Sequence, residues 1–217
     1  MKNIIWDFDG TLFDTYPQMV NSFLLALNKM HIDDFEIDEY EIYEIMRRHS
    51  LSIAIQKYSA HFNLDPEKLR KNYSHFENQN VLNAKPFQNA ESLLKNSVDN
   101  GMKNFILTHR DQETLFKLLN NNHLSKCFED IVDKDSDFPR KPNPAAINHL
   151  IEVNKLDRYA TMMIGDRIID IKAGLNAGIK TGLFDPDAII IEKSNADYQF
   201  SNMYDLNLFL NDSKKDK

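Results

Sequence analysis

From Pro86 onward the chain repeats one pattern, and that pattern sets its fold class. A short apolar run rich in β-formers is followed by a stretch with apolar residues at helical spacing. The runs are 104–107, 131–132, 161–164 and 179–184. The helical stretches are marked by Ala90, Leu93, Leu94 and Val98, by Leu115, Leu118 and Leu119, by Ala146, Ile147, Leu150 and Ile151, by residues 168–177, and last by residues 203–210. Strands alternating with helices bury both faces of a parallel sheet. In such sheets ligands bind beyond the carboxyl ends of the strands.

A further strand over residues 2–8 opens the chain, and the alternation then breaks off. From Tyr16 to about Asn80 the periodicity is helical throughout. Val20, Phe23, Leu24, Leu27 and Met30 mark one helix face. Ile42, Ile45 and Met46 mark a second helix, and Leu51, Ala54, Ile55, Tyr58 and Phe62 a third. Asp65-Pro66-Glu67 starts a fourth, with a side-chain cap, a first-turn proline and an acid at the positive helix end. The expected architecture is therefore α/β: a Rossmann-like, doubly wound parallel sheet core over 1–15 and 82–217, with an all-helical subdomain inserted at 16–81.

Composition narrows the function. The net charge is −7 over 217 residues, so the broad basic footprint of nucleic-acid binding is missing. A local site on an acidic protein can still be positive and hold a phosphorylated substrate. Cys127 is the only cysteine, which leaves no internal disulfide and suits a reducing compartment. Ile4-Ile5-Trp6 is too short for a secretory apolar segment, and no apolar run reaches membrane-span length. The expectation is a cytoplasmic protein, monomeric or homodimeric, with no membrane partner and a solvated tail over 213–217.

Polar residues gather where the apolar runs end. The first run ends in Asp7 and Asp9, a second in Thr108 and a later one in Gly165-Asp166. Strand alternation places Asp7 and Asp9 on one side, with Cβ atoms about 7 Å apart. With a third carboxylate on a neighbouring strand, they form an oxygen cage suited to Mg²⁺, which keeps waters and phosphate oxygens as its other ligands. An Asp-x-Asp pair after a strand also occurs as an ordinary turn or helix cap. Gly10 permits a positive φ or a close backbone approach, and Thr11 can donate a hydrogen bond.

The segment Asp7-Phe8-Asp9-Gly10-Thr11-Leu12 resembles the first signature of the haloacid dehalogenase superfamily. Ile106-Leu107-Thr108 resembles its second, Lys141-Pro142-Asn143-Pro144 its third, and Ile164-Gly165-Asp166 with Asp170 its fourth, all in the family's order. The helical insert resembles the cap of the phosphoglycolate phosphatase and β-phosphoglucomutase branch. The resemblance implies that Asp7 is a nucleophile forming an aspartyl-phosphate, and that Asp9 is the acid and base. It implies Mg²⁺ held by Asp7, the Asp9 backbone carbonyl and Asp166. Thr108 and Lys141 would bind the transferring phosphoryl group, near Gly10, and Asp170 would support the metal shell or orient Lys141. Dehalogenases lack the second aspartate, so Asp9 implies phosphate esters.

Each assignment has an ordinary alternative. Thr108 can cap the next helix, Lys141 can be a loop lysine replaced in its role by Arg140, and Asp170 can be a first-turn acid. Two positions depart from the family pattern: His109-Arg110 after Thr108, and Arg167 after Asp166. Arg110 is expected at the site entrance, where with His109 it would bind a second anionic group, or else it pairs with an acid. Arg47, Arg48, His49 and Ser50 are expected between two cap helices, either as a substrate-binding loop or as a basic turn. Tyr16 and Met19 line the same space or pack. The resulting expectation is a Mg²⁺-dependent phosphomonoesterase acting on a small phosphorylated metabolite. Alternatives are a phosphomutase of the same fold and a non-catalytic binding module.

Overall fold

The computed structural model describes residues 1–33, 35 and 37–212; the tail expected over 213–217 lies outside them. The strands are β1 (Asn3–Trp6), β2 (Phe13–Asp14), β3 (Lys85–Pro86), β4 (Lys103–Leu107), β5 (Asp130–Val132), β6 (Thr161–Gly165), β7 (Lys180–Phe184) and β8 (Tyr198–Phe200). The helices are α1 (Tyr16–Asn28), α2 (Glu39–Arg48), α3 (Leu51–His61), α4 (Pro66–Asn80), α5 (Ala90–Asp99), α6 (Gln112–Asn121), α7 (Ala145–Val153), α8 (Ile168–Asn176) and α9 (Met203–Asp212). The chain divides into two compact units, one of residues 1–13 with those from Pro86 on, the other of Asp14–Lys85. The short strands β2 and β3 pair with each other where the chain crosses between units.

Six strands of the first unit form a parallel sheet in the order β5-β4-β1-β6-β7-β8. The apolar runs account for five of these strands. The sixth, β8, has no apolar run to announce it, and tertiary pairing makes it a strand. It sits at the sheet edge beside β7, and the preceding Asp197 accepts from the Thr181 backbone N–H (2.9 Å) and pairs with Lys180 (2.7 Å).

Strand alternation sends side chains to two faces. Ile5, Phe105, Leu107 and Met163 pack with Ala146, Ile147, Leu150 and Ile151 of α7 and with Ala173 of α8. Trp6 and Asn104 face the other way, toward α5. There the buried Trp6 indole donates to Asn104 Oδ1 (3.0 Å), and Asn104 Nδ2 donates to Ser97 Oγ (2.7 Å) and to the Cys127 carbonyl (3.2 Å). A fully buried amide in an otherwise apolar layer is tolerated because its donors and acceptor are matched.

The second unit closes its own core. Tyr16, Val20, Phe23 and Leu27 of α1 pack with Ile42 and Met46 of α2, Ala54, Ile55 and Tyr58 of α3, and Leu69 and Tyr73 of α4. Asp65 caps α4 as its sequence predicts, accepting from the Glu67 and Lys68 N–H groups. No described helix is long and apolar enough to cross a membrane.

Replacing Asn104 by Leu keeps the branched shape but strips the Trp6 indole of its acceptor. The expected cost is about 1–3 kcal/mol, read as a lower urea midpoint with an unchanged m-value.

Candidate active site

Strand register places the site. Trp6 is aligned with Ile106 on one side and Ile164 on the other. The residues that follow, Asp7, Leu107-Thr108 and Gly165-Asp166, therefore emerge together at the carboxyl ends of β1, β4 and β6. Three neighbouring central strands supply the positions, so the groups rest on the most rigid part of the fold.

Lys141 reaches this point from the loop before α7, and its Lys141–Pro142 peptide is cis. Its ammonium is buried, with 1 % of the side chain exposed, and lies 2.6 Å from Asp7 Oδ1 and 2.6 Å from Asp170 Oδ1. The same Nζ donates to the Leu107 carbonyl at 3.1 Å. Asp170 is held in turn: its Oδ2 accepts from the Arg167 backbone N–H (3.0 Å) across the first turn of α8. Asp170 therefore caps the helix with one oxygen and pairs with Lys141 through the other.

Gly165 makes this possible. A Cβ built there would stand 2.3 Å from Asp170 Cβ and 2.5 Å from its Cγ. Any side chain at 165 would displace the carboxylate from the lysine.

Asp7, Asp166 and Asp170, all buried, bring carboxylate oxygens within 4.8 Å of one another. Burial pushes the Asp7 carboxyl well above its usual range. Lys141 counters this, and the charges of Asp170 and Asp166 add to it. For Lys141, burial acts downward, but Asp170 and Asp7 outweigh it and raise its pKa, so the amine stays charged. For Asp170, burial acts upward, but Lys141 and Arg167 overcome it and hold the carboxyl low. One ammonium among three buried carboxylates leaves net negative charge in a dry site, and this donor set fits a small divalent cation.

Asp9 does not join this trio. The regular strand ends at Trp6, and the chain turns at Gly10 (φ +73°), with the Phe8 carbonyl accepting from the Leu12 and Phe13 N–H groups. The Asp9 carboxylate is bound by Arg110, with Nε at 2.8 and 3.1 Å from its two oxygens. Arg110 is correspondingly buried beside Asp9 rather than standing open at an entrance. Thr108 Oγ1 accepts from the Arg110 backbone N–H (3.1 Å), which leaves its own hydroxyl proton available to donate. Thr11 Oγ1 approaches Asp166 Oδ1 at 3.4 Å.

His109 has a role that the sequence did not announce. Its Nε2 accepts from the Lys141 backbone N–H at 3.1 Å. Burial, together with the positive charges of Lys141, Arg167 and Arg140, pushes its pKa down to about 3. The ring is therefore neutral and bears its proton on Nδ1.

In the helical unit, Arg47 and Arg48 belong to the last turn of α2 rather than to a loop; only His49 and Ser50 connect α2 to α3. Arg47 is buried, with its guanidinium carbon 5.7 Å from the Tyr16 ring centre. Arg48 pairs with Glu44 at 2.7 Å, and Met19 receives a long contact from the Thr15 hydroxyl at 3.8 Å.

Two outcomes follow from this geometry. Gly165→Ala is expected to cost about 1–3 kcal/mol in urea denaturation through overpacking. His109 stays neutral when folded down to about 3, whereas an unfolded histidine takes its proton near 6.5. Its contribution to stability is thus complete above about 6.5 and is lost as pH falls toward about 3. Comparing urea midpoints across that window, His109→Gln should remove about one proton from the uptake on unfolding.

The haloacid dehalogenase-like hydrolase family model matches residues 4–184. A pyrophosphatase, PpaX, from Halalkalibacterium halodurans is 25 % identical over 88 % of this chain and 92 % of its own length. A phosphoglycolate phosphatase from Aquifex aeolicus is 25 % identical over 84 % of each. Among solved structures, a protein described as a predicted phosphoglycolate phosphatase from Haemophilus somnus aligns with a TM-score of 0.83 at 19 % identity, covering 97 % of this chain and 98 % of its own. The match runs from the strand that delivers Asp7 to the end of β7, taking in every segment that builds the buried cluster, and the chain belongs to the haloacid dehalogenase-like hydrolase family.

Proposed function

We propose that the protein is a phosphomonoester hydrolase acting on small phosphorylated metabolites, with Asp7 as nucleophile. The observation that carries this reading is the buried Lys141 ammonium, 2.6 Å from both Asp7 and Asp170, at the carboxyl end of a parallel sheet. An ammonium fixed against a buried carboxylate neutralises charge on the attacking group and on the phosphoryl group it receives. The kinship with a pyrophosphatase and a phosphoglycolate phosphatase points to the same class of substrate.

In this mechanism a carboxylate oxygen of Asp7 attacks phosphorus in line with the ester oxygen. The P–O ester bond breaks as the Asp7–phosphorus bond forms, and its electron pair leaves on the alkoxide. Asp9 gives that oxygen a proton. Water then attacks the aspartyl-phosphate, Asp9 recovers a proton from it, and phosphate and free Asp7 are released. Thr108 donates its hydroxyl to a phosphoryl oxygen, and Gly10 lets the backbone come close. Asp7, the Asp9 carbonyl and Asp166 would hold Mg²⁺, which would supply positive charge to the phosphoryl oxygens. His109 supports the Lys141 main chain rather than the substrate. A cytoplasmic setting suits the single free thiol, Cys127.

Phosphate release should be measured from p-nitrophenyl phosphate, phosphoglycolate, sugar phosphates and pyrophosphate, with and without Mg²⁺. The expected result is metal-dependent turnover that Asp7→Asn lowers at least about 10³-fold. Turnover of the folded Asp7→Asn protein at the natural rate would overturn the assignment of the nucleophile.

A further inference from the structure

The family reading gives Asp9 a task but leaves open what holds its carboxylate in place. In this chain that support comes from Arg110. Arg110 places Nε 2.8 Å from Asp9 Oδ1 and 3.1 Å from Oδ2, and its second terminal nitrogen 2.8 Å from Oδ1. The arginine side chain is 5 % exposed and the Asp9 side chain 24 %. The guanidinium thus grips the carboxylate from the protein side and leaves one edge of it open.

The grip is itself anchored. The remaining terminal nitrogen of Arg110 donates to Thr114 Oγ1 (3.3 Å), and the Thr114 hydroxyl donates to Asp111 Oδ2 (2.6 Å). Asp111 caps α6 by accepting from the Thr114 N–H (2.9 Å). Burial pushes the Asp111 carboxyl up, but the hydrogen bonds from Thr114 more than offset this and hold it low. The Arg110 main chain is fixed on both sides, with its N–H on Thr108 Oγ1 (3.1 Å) and its carbonyl accepting from the Lys134 N–H (3.0 Å).

We propose that Arg110 is a positioning residue that holds the Asp9 carboxylate in register with the Thr108 hydroxyl for proton transfer to the leaving group. This rests on the assignment of Asp9 under the proposed function. A short carboxylate beside a glycine turn can rotate, and proton transfer needs it within about 2.6–3.2 Å of the leaving oxygen. The planar guanidinium meets both carboxylate oxygens, whereas a lysine offers only a point charge. Arg110 acts through Asp9 and Thr108 and not by touching substrate.

The test compares Arg110→Lys, Thr114→Val, Asp9→Asn and the double variant Arg110→Lys/Asp9→Asn in the full-length protein with Mg²⁺. Circular dichroism checks that each is folded. The readout is kcat/KM, which covers the steps through leaving-group departure, for p-nitrophenyl phosphate and for an unactivated alkyl phosphate. Asp9→Asn should lower the alkyl ester far more than the aryl ester. Arg110→Lys should shift in the same sense, by about 10–100-fold on the alkyl ester and less than about threefold on the aryl ester. It should cost nothing further in the Asp9→Asn background. Thr114→Val, which loosens the grip only from behind, should give a smaller shift of the same kind. Equal losses on both esters in Arg110→Lys, or additive losses in the double variant, would overturn the positioning role. If Asp9→Asn itself treated both esters alike, the assignment of Asp9 would fail first and the proposal with it.

Discussion

A single ammonium group, that of Lys141, is the interaction around which the site is arranged. It is buried against Asp7 and Asp170 and beside the Leu107 carbonyl, and so joins the segment after β1, the end of β4 and the first turn of α8. Removing one partner from such a buried pair costs about 3–5 kcal/mol, because the other is left uncompensated. The arrangement is therefore not chosen for stability, since an apolar substitute of the same shape would serve the fold as well or better. Three buried carboxylates with one lysine are a standing electrostatic cost. A divalent cation bound among these carboxylates would offset that cost.

Much of the surrounding structure keeps that lysine where it is. Gly165 has no side chain, so Asp170 folds across it. The Arg167 N–H ties the far oxygen of Asp170 to the start of α8. On the other side the neutral His109 ring receives the Lys141 N–H. Burial and three nearby cations keep that ring neutral, and only a neutral ring can accept. The charge state of one group thus sets the geometry of the next.

Asp7 and Asp9 are two residues apart yet serve two separate networks. Asp7 belongs to the lysine and the acidic trio, and Asp9 to Arg110 and the capped start of α6. Under the proposed phosphoryl transfer this separation is useful: a nucleophile and a proton donor must approach phosphorus from opposite sides, and each has its own rigid support.

By itself the sequence determined the alternating core, the helical insert and the residues at the strand ends. These follow from local periodicity and from polar residues placed where apolar runs stop, and both are written along the chain. It also determined the cap at Asp65, which depends on neighbours a few positions away. Tertiary structure alone decided the rest. The strand β8 exists only because β7 offers an open edge. Arg47 and Arg48 became helix rather than loop because α2 runs on to bury Met46 and Arg47. Whether Arg110 meets a substrate or Asp9 depends on where two segments 101 positions apart come together. Long, flexible charged side chains can reach many partners. Their choice among them is made by burial and distance in the folded molecule, and neither is legible before the chain has closed.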